Sequence, residues 1–140
     1  MQKKPDISFE EALQSGNTKV VKYYLKKGGL ANPKDKNGEP LLISAANSGN
    51  TDALKTIIKA GAHVNIKNNK GTTALMYAAF KGYKDIADLL INNKADINAK
   101  DIFGYTPLIV AAIGGDKDIT QLLIENGADV MPKIMKAQRL

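Results

Sequence analysis

The 140-residue sequence contains no cysteine, no tryptophan and one histidine, His63. Without thiols, the chain has no disulfide framework, no cysteine nucleophile and no zinc site of the Cys/His type. A mechanism that needs two imidazoles is excluded as well. The lack of cysteine does not indicate a compartment, because a protein without thiols tolerates reducing and oxidising surroundings alike.

Long apolar runs are also missing from the sequence. No stretch approaches the roughly 18 apolar residues of a membrane-spanning helix, and residues 1–6 lack the apolar core of a signal peptide. We therefore expect no membrane contact and a cytoplasmic location, while a periplasmic or exported location would require a signal removed upstream. The length and the 44% hydrophobic content suit one domain, residues 1–140.

Many positions recur at intervals of 33 residues, as Gly38, Gly71 and Gly104 do. The same interval relates three alanine pairs, Ala45-Ala46, Ala78-Ala79 and Ala111-Ala112. We predict four units, followed by a tail at 134–140 that is a candidate capping helix. The units are a degenerate N-terminal capping unit at 2–34 and full units at 35–67, 68–100 and 101–133.

The fourth unit shows the predicted fold of one unit. Thr106 can cap a first helix, A, that begins at Pro107, since proline suits the first helical turn. Gly114-Gly115 then ends helix A and reverses the chain. A second helix, B, is expected from about Lys117 to Asn126, with a left-handed C-cap at Gly127.

Helix B of each unit needs a neighbour to bury its apolar side. Its stripe in the fourth unit is Ile119, Leu122, Leu123 and Ile124, and we expect it to stack on Ile86, Leu89, Leu90 and Ile91. After helix B, short polar residues are expected to stabilise the turn to the next hairpin, namely Asn65, Asn98 and Asp129.

The unit resembles the ankyrin repeat. The resemblance rests on Thr106-Pro107-Leu108, on the alanine pairs and on the helix B endings Gly61-Ala62-His63-Val64-Asn65 and Gly127-Ala128-Asp129-Val130. It implies an all-α ankyrin-repeat solenoid of stacked helix-turn-helix units with short β-hairpin loops. It also implies that hairpin tips and the outward surface of helix A form a concave binding groove.

Features that look like catalytic or metal sites have simpler structural explanations. His63 has no second imidazole or thiol with which to share a metal, so we interpret it as a turn residue. Asp116-Lys117-Asp118 lacks the glycine and the final glutamate of a calcium loop. The glycine pair Gly114-Gly115 lacks the context of a phosphate loop, and no serine has a plausible base. We predict no enzymatic activity, no cofactor, no metal site and no catalytic residue.

The two ends of the stack differ in sequence. The first unit has a capping-box spacing from Ser8 to Glu11, and we expect its lysines, Lys19, Lys22, Lys26 and Lys27, to solvate the outside. Beyond the fourth unit, Ile134, Met135 and Leu140 either fold back over its open side or leave an apolar patch for self-association or for a continuation of the chain. We otherwise expect a monomer.

Groove positions carry the candidate partner-binding residues. The second and third units offer mostly polar ones: Lys36, Asn37, Glu39, Asn47, Asn69, Lys70, Thr72 and Lys81. The end of the third unit and the fourth unit offer apolar ones: Phe80, Ile102, Phe103, Tyr105 and Ile113. Large apolar side chains of this kind anchor protein interfaces. The alternative is that some of them turn inward and close the C-terminal end.

We therefore predict a non-catalytic protein-protein interaction module with a protein partner of unknown identity and no small-molecule substrate. Two alternatives stay open: a dedicated accessory inhibitor or chaperone of one partner, and a basic electrostatic binder of nucleic acid or anionic surfaces. The chain has a net charge of +6. The first unit carries the largest positive charge, and the fourth unit is net negative. The densest basic cluster lies on the presumed outer helix of the capping unit, where a solvated surface explains it better than a nucleic-acid site.

Lys94 breaks the pattern of the helix B endings, because it stands where the second and fourth units have Gly61 and Gly127. If the backbone repeats, Lys94 must adopt the left-handed conformation, which is costly for a residue with a Cβ. The alternative is that Asn93 takes that position and Lys94 is unstrained.

Overall fold

The computed structural model of the chain describes residues 4–27, residue 34 and residues 38–130. Two helices lie in each of the four predicted units, and together they form an all-α repeat solenoid. The helices are α1 (Phe9–Ser15), α2 (Thr18–Lys27), α3 (Leu41–Ser48), α4 (Thr51–Lys59), α5 (Ala74–Lys81), α6 (Lys84–Asn92), α7 (Pro107–Gly114) and α8 (Lys117–Glu125). None of these is long and apolar enough to cross a membrane.

The helices of the fourth unit begin and end close to the predicted residues. The Thr106 side chain caps α7 by accepting a hydrogen bond from the Ile109 N–H at 3.3 Å, and Pro107 occupies the first turn. The loops between units are hairpin turns without strands in the described ranges. Each of the last two has two backbone hydrogen bonds; in the fourth unit they run from the Asp101 N–H to the Tyr105 carbonyl and from the Gly104 N–H to the Asp101 carbonyl, both at 3.0 Å.

The stack has two layers, with α3, α5 and α7 side by side in one and α4, α6 and α8 in the other. Ala78 and Ala111 are fully buried between α5 and α7. The two helices approach so closely that a Cβ on Gly114 would lie 2.7 Å from the Phe80 carbonyl oxygen. Small residues at these positions are therefore a condition of the stacking.

The first helix pair is seated differently from the others. Both α1 and α2 pack on α4, and α1 contacts α4 more extensively than it contacts α3. A separate small core results, made of Ala12, Val21, Leu25 and Ala60. The Ser8 hydroxyl caps α1 by accepting from the Glu11 N–H, as the spacing predicts. Lys19 and Lys22 are exposed, whereas the side chains of Lys26 and Lys27 lie outside the described residues.

The endings of the B helices confirm the prediction for Lys94. Its φ is 68°, and no other residue with a Cβ in the described ranges has a positive φ. Gly61 and Gly127 have φ values of 102° and 92° at the equivalent positions. The alternative is wrong, because Asn93 has a φ of −104°.

The asparagines after the B helices act between units, which corrects the prediction that they stabilise their own turns. The Asn65 Oδ1 atom accepts from the Asp96 N–H at 2.6 Å, and its Nδ2 donates to the Lys94 carbonyl at 3.1 Å. Asn98 makes the same two contacts with the following unit, to the Asp129 N–H and the Gly127 carbonyl. Each asparagine thus ties its unit to the next helix ending.

The stripe on α8 is only partly buried. Ile119 and Leu123 are inaccessible to solvent, but Ile124 is 41% exposed. The prediction of stacking is wrong for Ile124: its equivalent Ile91 is half-buried against the core, whereas no described residue follows the fourth unit in that place. Whether the tail at 134–140 covers it lies outside the described residues.

Candidate functional site

One acidic or amide side chain shapes each described hairpin tip. The Asp101 Oδ1 atom accepts hydrogen bonds from the N–H groups of Phe103 and Tyr105 at 2.8 and 2.9 Å. The Asn68 Oδ1 atom accepts equivalent bonds from Lys70 and Thr72 in the third unit. The tip backbone is therefore held independently of the side chains that it displays.

Neighbouring tips touch each other. The Ile102 N–H donates to the Lys70 carbonyl at 3.0 Å. Gly71 makes this approach possible, since it has a φ of 74° and a Cβ there would lie 3.1 Å from the Ile102 nitrogen. On the other side of the third tip, the Asn68 amide donates to the Glu39 carboxylate at 3.1 Å. The tips consequently form one continuous edge.

The five apolar candidates are all exposed. Their exposed fractions are 52% for Phe80, 64% for Ile102, 64% for Phe103, 44% for Tyr105 and 61% for Ile113. The rings of Phe103 and Tyr105 lie 6.2 Å apart between centroids. We refer to these five residues as the apolar patch.

The exposure of the apolar patch does not come from the end of the stack. Phe80 occupies the position of Ile113 one unit earlier and is still half exposed, although the fourth unit follows it. Asn69 and Lys70, which precede Ile102 and Phe103 by one unit, are exposed too. The equivalents of Tyr105 and Ile113 in the second unit, Glu39 and Asn47, are half-buried, but all five patch residues are themselves exposed, so the alternative that some of them turn inward is wrong.

A small cleft lies beside the apolar patch. Its volume is about 150 Å³, and it is lined by Thr72, Met76, Tyr77, Phe80, Asp101 and Val110. Tyr77 and Val110 were missed as candidate groove residues. They precede Phe80 and Ile113 by three residues, and helical spacing was the signal that could have identified them.

The polar candidates lie on the side of the second and third units. Asn69, Lys70 and Lys81 are exposed, and the Lys81 ammonium donates to the Asn47 carbonyl at 3.0 Å. The other three, Glu39, Asn47 and Thr72, are half-buried. Lys36 and Asn37 lie outside the described residues.

Asn47 has an unsatisfied side-chain acceptor. Its Oδ1 atom is buried, and no donor in the described part of the chain bonds to it. The residue borders an open cavity of about 470 Å³ between Leu13 of α1 and the outer surface of α3, which also includes Ser44 and Ser48.

The residues considered for catalysis or metal binding lie in a turn and at a helix cap. His63 is exposed in the turn after α4, and Asp116 caps α8 by accepting from the Ile119 N–H at 2.9 Å. No cluster of three or more His, Cys, Asp or Glu side chains in the described ranges could hold a metal ion.

Comparison with known families agrees with this geometry. A family model described as three copies of the ankyrin repeat matches residues 9–101, and a single ankyrin repeat model matches residues 103–133. The chain belongs to the ankyrin repeat family. Ankyrin repeats are generally protein-protein interaction modules and typically non-enzymatic. No curated protein shows significant sequence similarity to the chain.

Proposed function

We propose that this ankyrin repeat protein is a non-catalytic module that holds a partner protein in the groove formed by the hairpin tips and by α3, α5 and α7. The apolar patch is the anchor of that contact. The observation that carries the proposal is the exposure of five large apolar side chains at positions that the stack leaves open. Folding gains little from them there, whereas a partner that covers them removes apolar surface from water.

A protein fits this surface better than a small molecule does. The cleft beside the patch, at about 150 Å³, is smaller than the ~300 to 1,000 Å³ of common ligand pockets. The patch instead presents two aromatic rings on one tip, at Phe103 and Tyr105, next to aliphatic side chains. Aromatic clusters of this kind supply most of the affinity in protein interfaces.

A nucleic acid fits less well, because the apolar patch belongs to the most acidic part of the chain. The described residues of the fourth unit include one basic side chain, Lys117. They include five acidic ones, Asp101, Asp116, Asp118, Glu125 and Asp129. The unit that carries the aromatic residues is therefore net negative, so stacking of bases on them would gain little charge neutralisation of the phosphates.

The proposal is tested by capture of proteins from a lysate of the source organism on the wild-type chain and on two variants. Phe80→Ser combined with Ile113→Ser removes apolar surface from the groove. Ile124→Ser is the control, since Ile124 is exposed on α8, in the helix layer that does not line the groove. Quantitative mass spectrometry compares the three captures.

We expect a protein that is captured by the wild type and by Ile124→Ser and is lost from the groove variant. Loss from Ile124→Ser alone, or equal capture by all three chains, would contradict the proposal. Thermal melts of both variants, compared with wild type, test whether a loss of capture comes from unfolding.

A further inference from the structure

The groove is chemically divided along its length, and this division indicates what kind of protein segment it holds. Exposed lysines lie on the tips and helices before the apolar patch, at Lys34, Lys70 and Lys81. Lys81 follows Phe80 directly on α5. Lys70 touches the tip of the patch through its carbonyl, which accepts from the Ile102 N–H.

The carboxylates on this side of the groove are occupied by internal contacts. Glu39 is half-buried and accepts from the Asn68 amide. Asp101 is also half-buried, and its Oδ1 atom holds the fourth tip through two backbone N–H groups. The Lys81 ammonium donates to a backbone carbonyl, which does not neutralise its charge. Glu39 and Asp101 keep their negative charge as well, but they are half-buried and are outnumbered on this side by the exposed Lys34, Lys70 and Lys81, so the surface that a partner meets over the second and third units is net positive.

The charge reverses at the other end of the stack. Asp116, Asp118, Glu125 and Asp129 lie on or beside α8, where Lys117 is the only described basic residue of that unit. These carboxylates belong to the layer of α4, α6 and α8 and add no cation beyond the apolar patch, so the cations that an acidic segment over the patch can contact lie on one side only, at Lys70 and Lys81. The charge pattern selects an orientation as well as a sign.

We propose that the segment held in the groove is a protein segment with an apolar or aromatic anchor on the apolar patch and acidic residues that extend along Lys70 and Lys81. This inference rests on the proposed function and specifies the partner's chemistry.

The spacing between anchor and acidic residues follows from the geometry of the stack. Adjacent packed helices are about 8 to 10 Å apart, so the lysines of the third unit lie about one such step from the fourth-unit part of the patch. An extended chain rises about 3.3 Å per residue. The acidic residues of the segment are therefore expected about three residues from its anchor.

The inference is tested by phage selection of random peptides on the wild-type chain. We expect selected peptides to combine Phe, Trp, Leu or Ile with Asp or Glu about three residues away on one side. The selection is repeated on the double variant Lys70→Glu, Lys81→Glu. There, the anchor should persist while the acidic residues disappear or are replaced by Lys and Arg.

A peptide from the wild-type selection then serves as the probe in binding titrations. The double variant Lys70→Glu, Lys81→Glu should raise its Kd about tenfold or more, because close charge pairs become repulsive. The matched control is Lys55→Glu with Lys84→Glu, which makes the same charge change on exposed residues of α4 and α6. We expect less than about a twofold effect for the control at physiological salt, where the screening length is about 8 Å.

The outcomes separate this inference from the proposed function. Selected peptides that bind through the apolar patch without an acidic bias, or with a basic one, would overturn the inference and leave the proposed function standing. Peptides whose binding is unaffected by Phe103→Ala with Tyr105→Ala would refute the proposed function itself. If the glutamate variant melts lower than wild type, Lys70→Ala with Lys81→Ala replaces it, with an expected rise in Kd of a few fold.

Discussion

The third and fourth units have the same pair of helices and share several buried positions, yet their groove surfaces differ. Ala78 and Ala111 are both fully buried, and both tips are held by one side chain, Asn68 or Asp101. The displayed tip residues are polar in the third unit, at Asn69, Lys70 and Thr72. In the fourth unit they are apolar, at Ile102, Phe103 and Tyr105. Packing restricts which residues can occupy the buried positions. The exposed tip positions can vary with the partner that is bound.

The contrast between buried and exposed positions is tested most strongly within one alanine pair. Ala111 is fully buried against α5, whereas its neighbour Ala112 is exposed because no described unit follows it. We expect Ala111→Leu to lower the free energy of unfolding by about 3 kcal/mol through overpacking, since α5 and α7 have no room to separate. Ala112→Leu should change it by less than about 0.5 kcal/mol. Urea unfolding of both variants makes the measurement, and equal effects would refute the stacking described here.

The difference between the two tips predicts a loss of binding without a loss of stability. Phe103→Ala with Tyr105→Ala should weaken partner binding by about 2 kcal/mol or more. The melting temperature should stay nearly constant, because both side chains are exposed and the Asp101 contacts are to backbone. Lys84→Ala, at an exposed residue of α6 outside the groove, is the control and should leave both quantities unchanged. A large drop in melting temperature with intact binding would mean that the aromatics are core residues.

The helix endings offer a smaller test of how faithfully the units repeat. Lys94 has the left-handed backbone that its neighbours achieve with glycine. Lys94→Gly should therefore raise the free energy of unfolding by about 0.5 to 1 kcal/mol, an amount limited by the greater entropy of glycine in the unfolded chain. Asn93→Gly is the control and should be neutral or destabilising, because Asn93 has a negative φ. A lower denaturation midpoint for Lys94→Gly would show that this ending is unlike the other two.

The smallest effect is expected at the polar tip itself. Lys70→Ala should slow association with an acidic partner a few fold and reduce its salt dependence, while the dissociation rate changes little. Surface-plasmon measurements at two salt concentrations separate the rates. A change confined to the dissociation rate would place Lys70 inside the packed contact and weaken the division between the two halves of the groove.

Much of the fold could be predicted from local signals. The 33-residue interval located every helix pair, Thr106-Pro107 marked a helix start, and the missing glycine identified the backbone of Lys94. These features depend on one residue and its immediate neighbours. The exposure of the apolar patch followed from comparing units at the same position.

Features that depend on the spacing between units could not be predicted. Asn65 and Asn98 reach helix endings about one unit away, and Gly71 allows contact with Ile102. The seating of α1 on α4, which opens the cavity beside Asn47, likewise depends on how two units dock. The helical period shows which face of a helix is apolar, but not what lies opposite that face.

The central claim is that the groove, and above all the apolar patch, receives the partner. Its most direct test is an NMR titration of the isotope-labelled chain with a selected peptide or with the captured partner's binding segment. We predict that the largest amide shifts occur at Phe80, Ile102, Phe103, Tyr105 and Ile113, with smaller ones at Lys70 and Lys81. Shifts centred instead on Ile124 and Val130, or on the outer face of α4 and α6, would contradict the account.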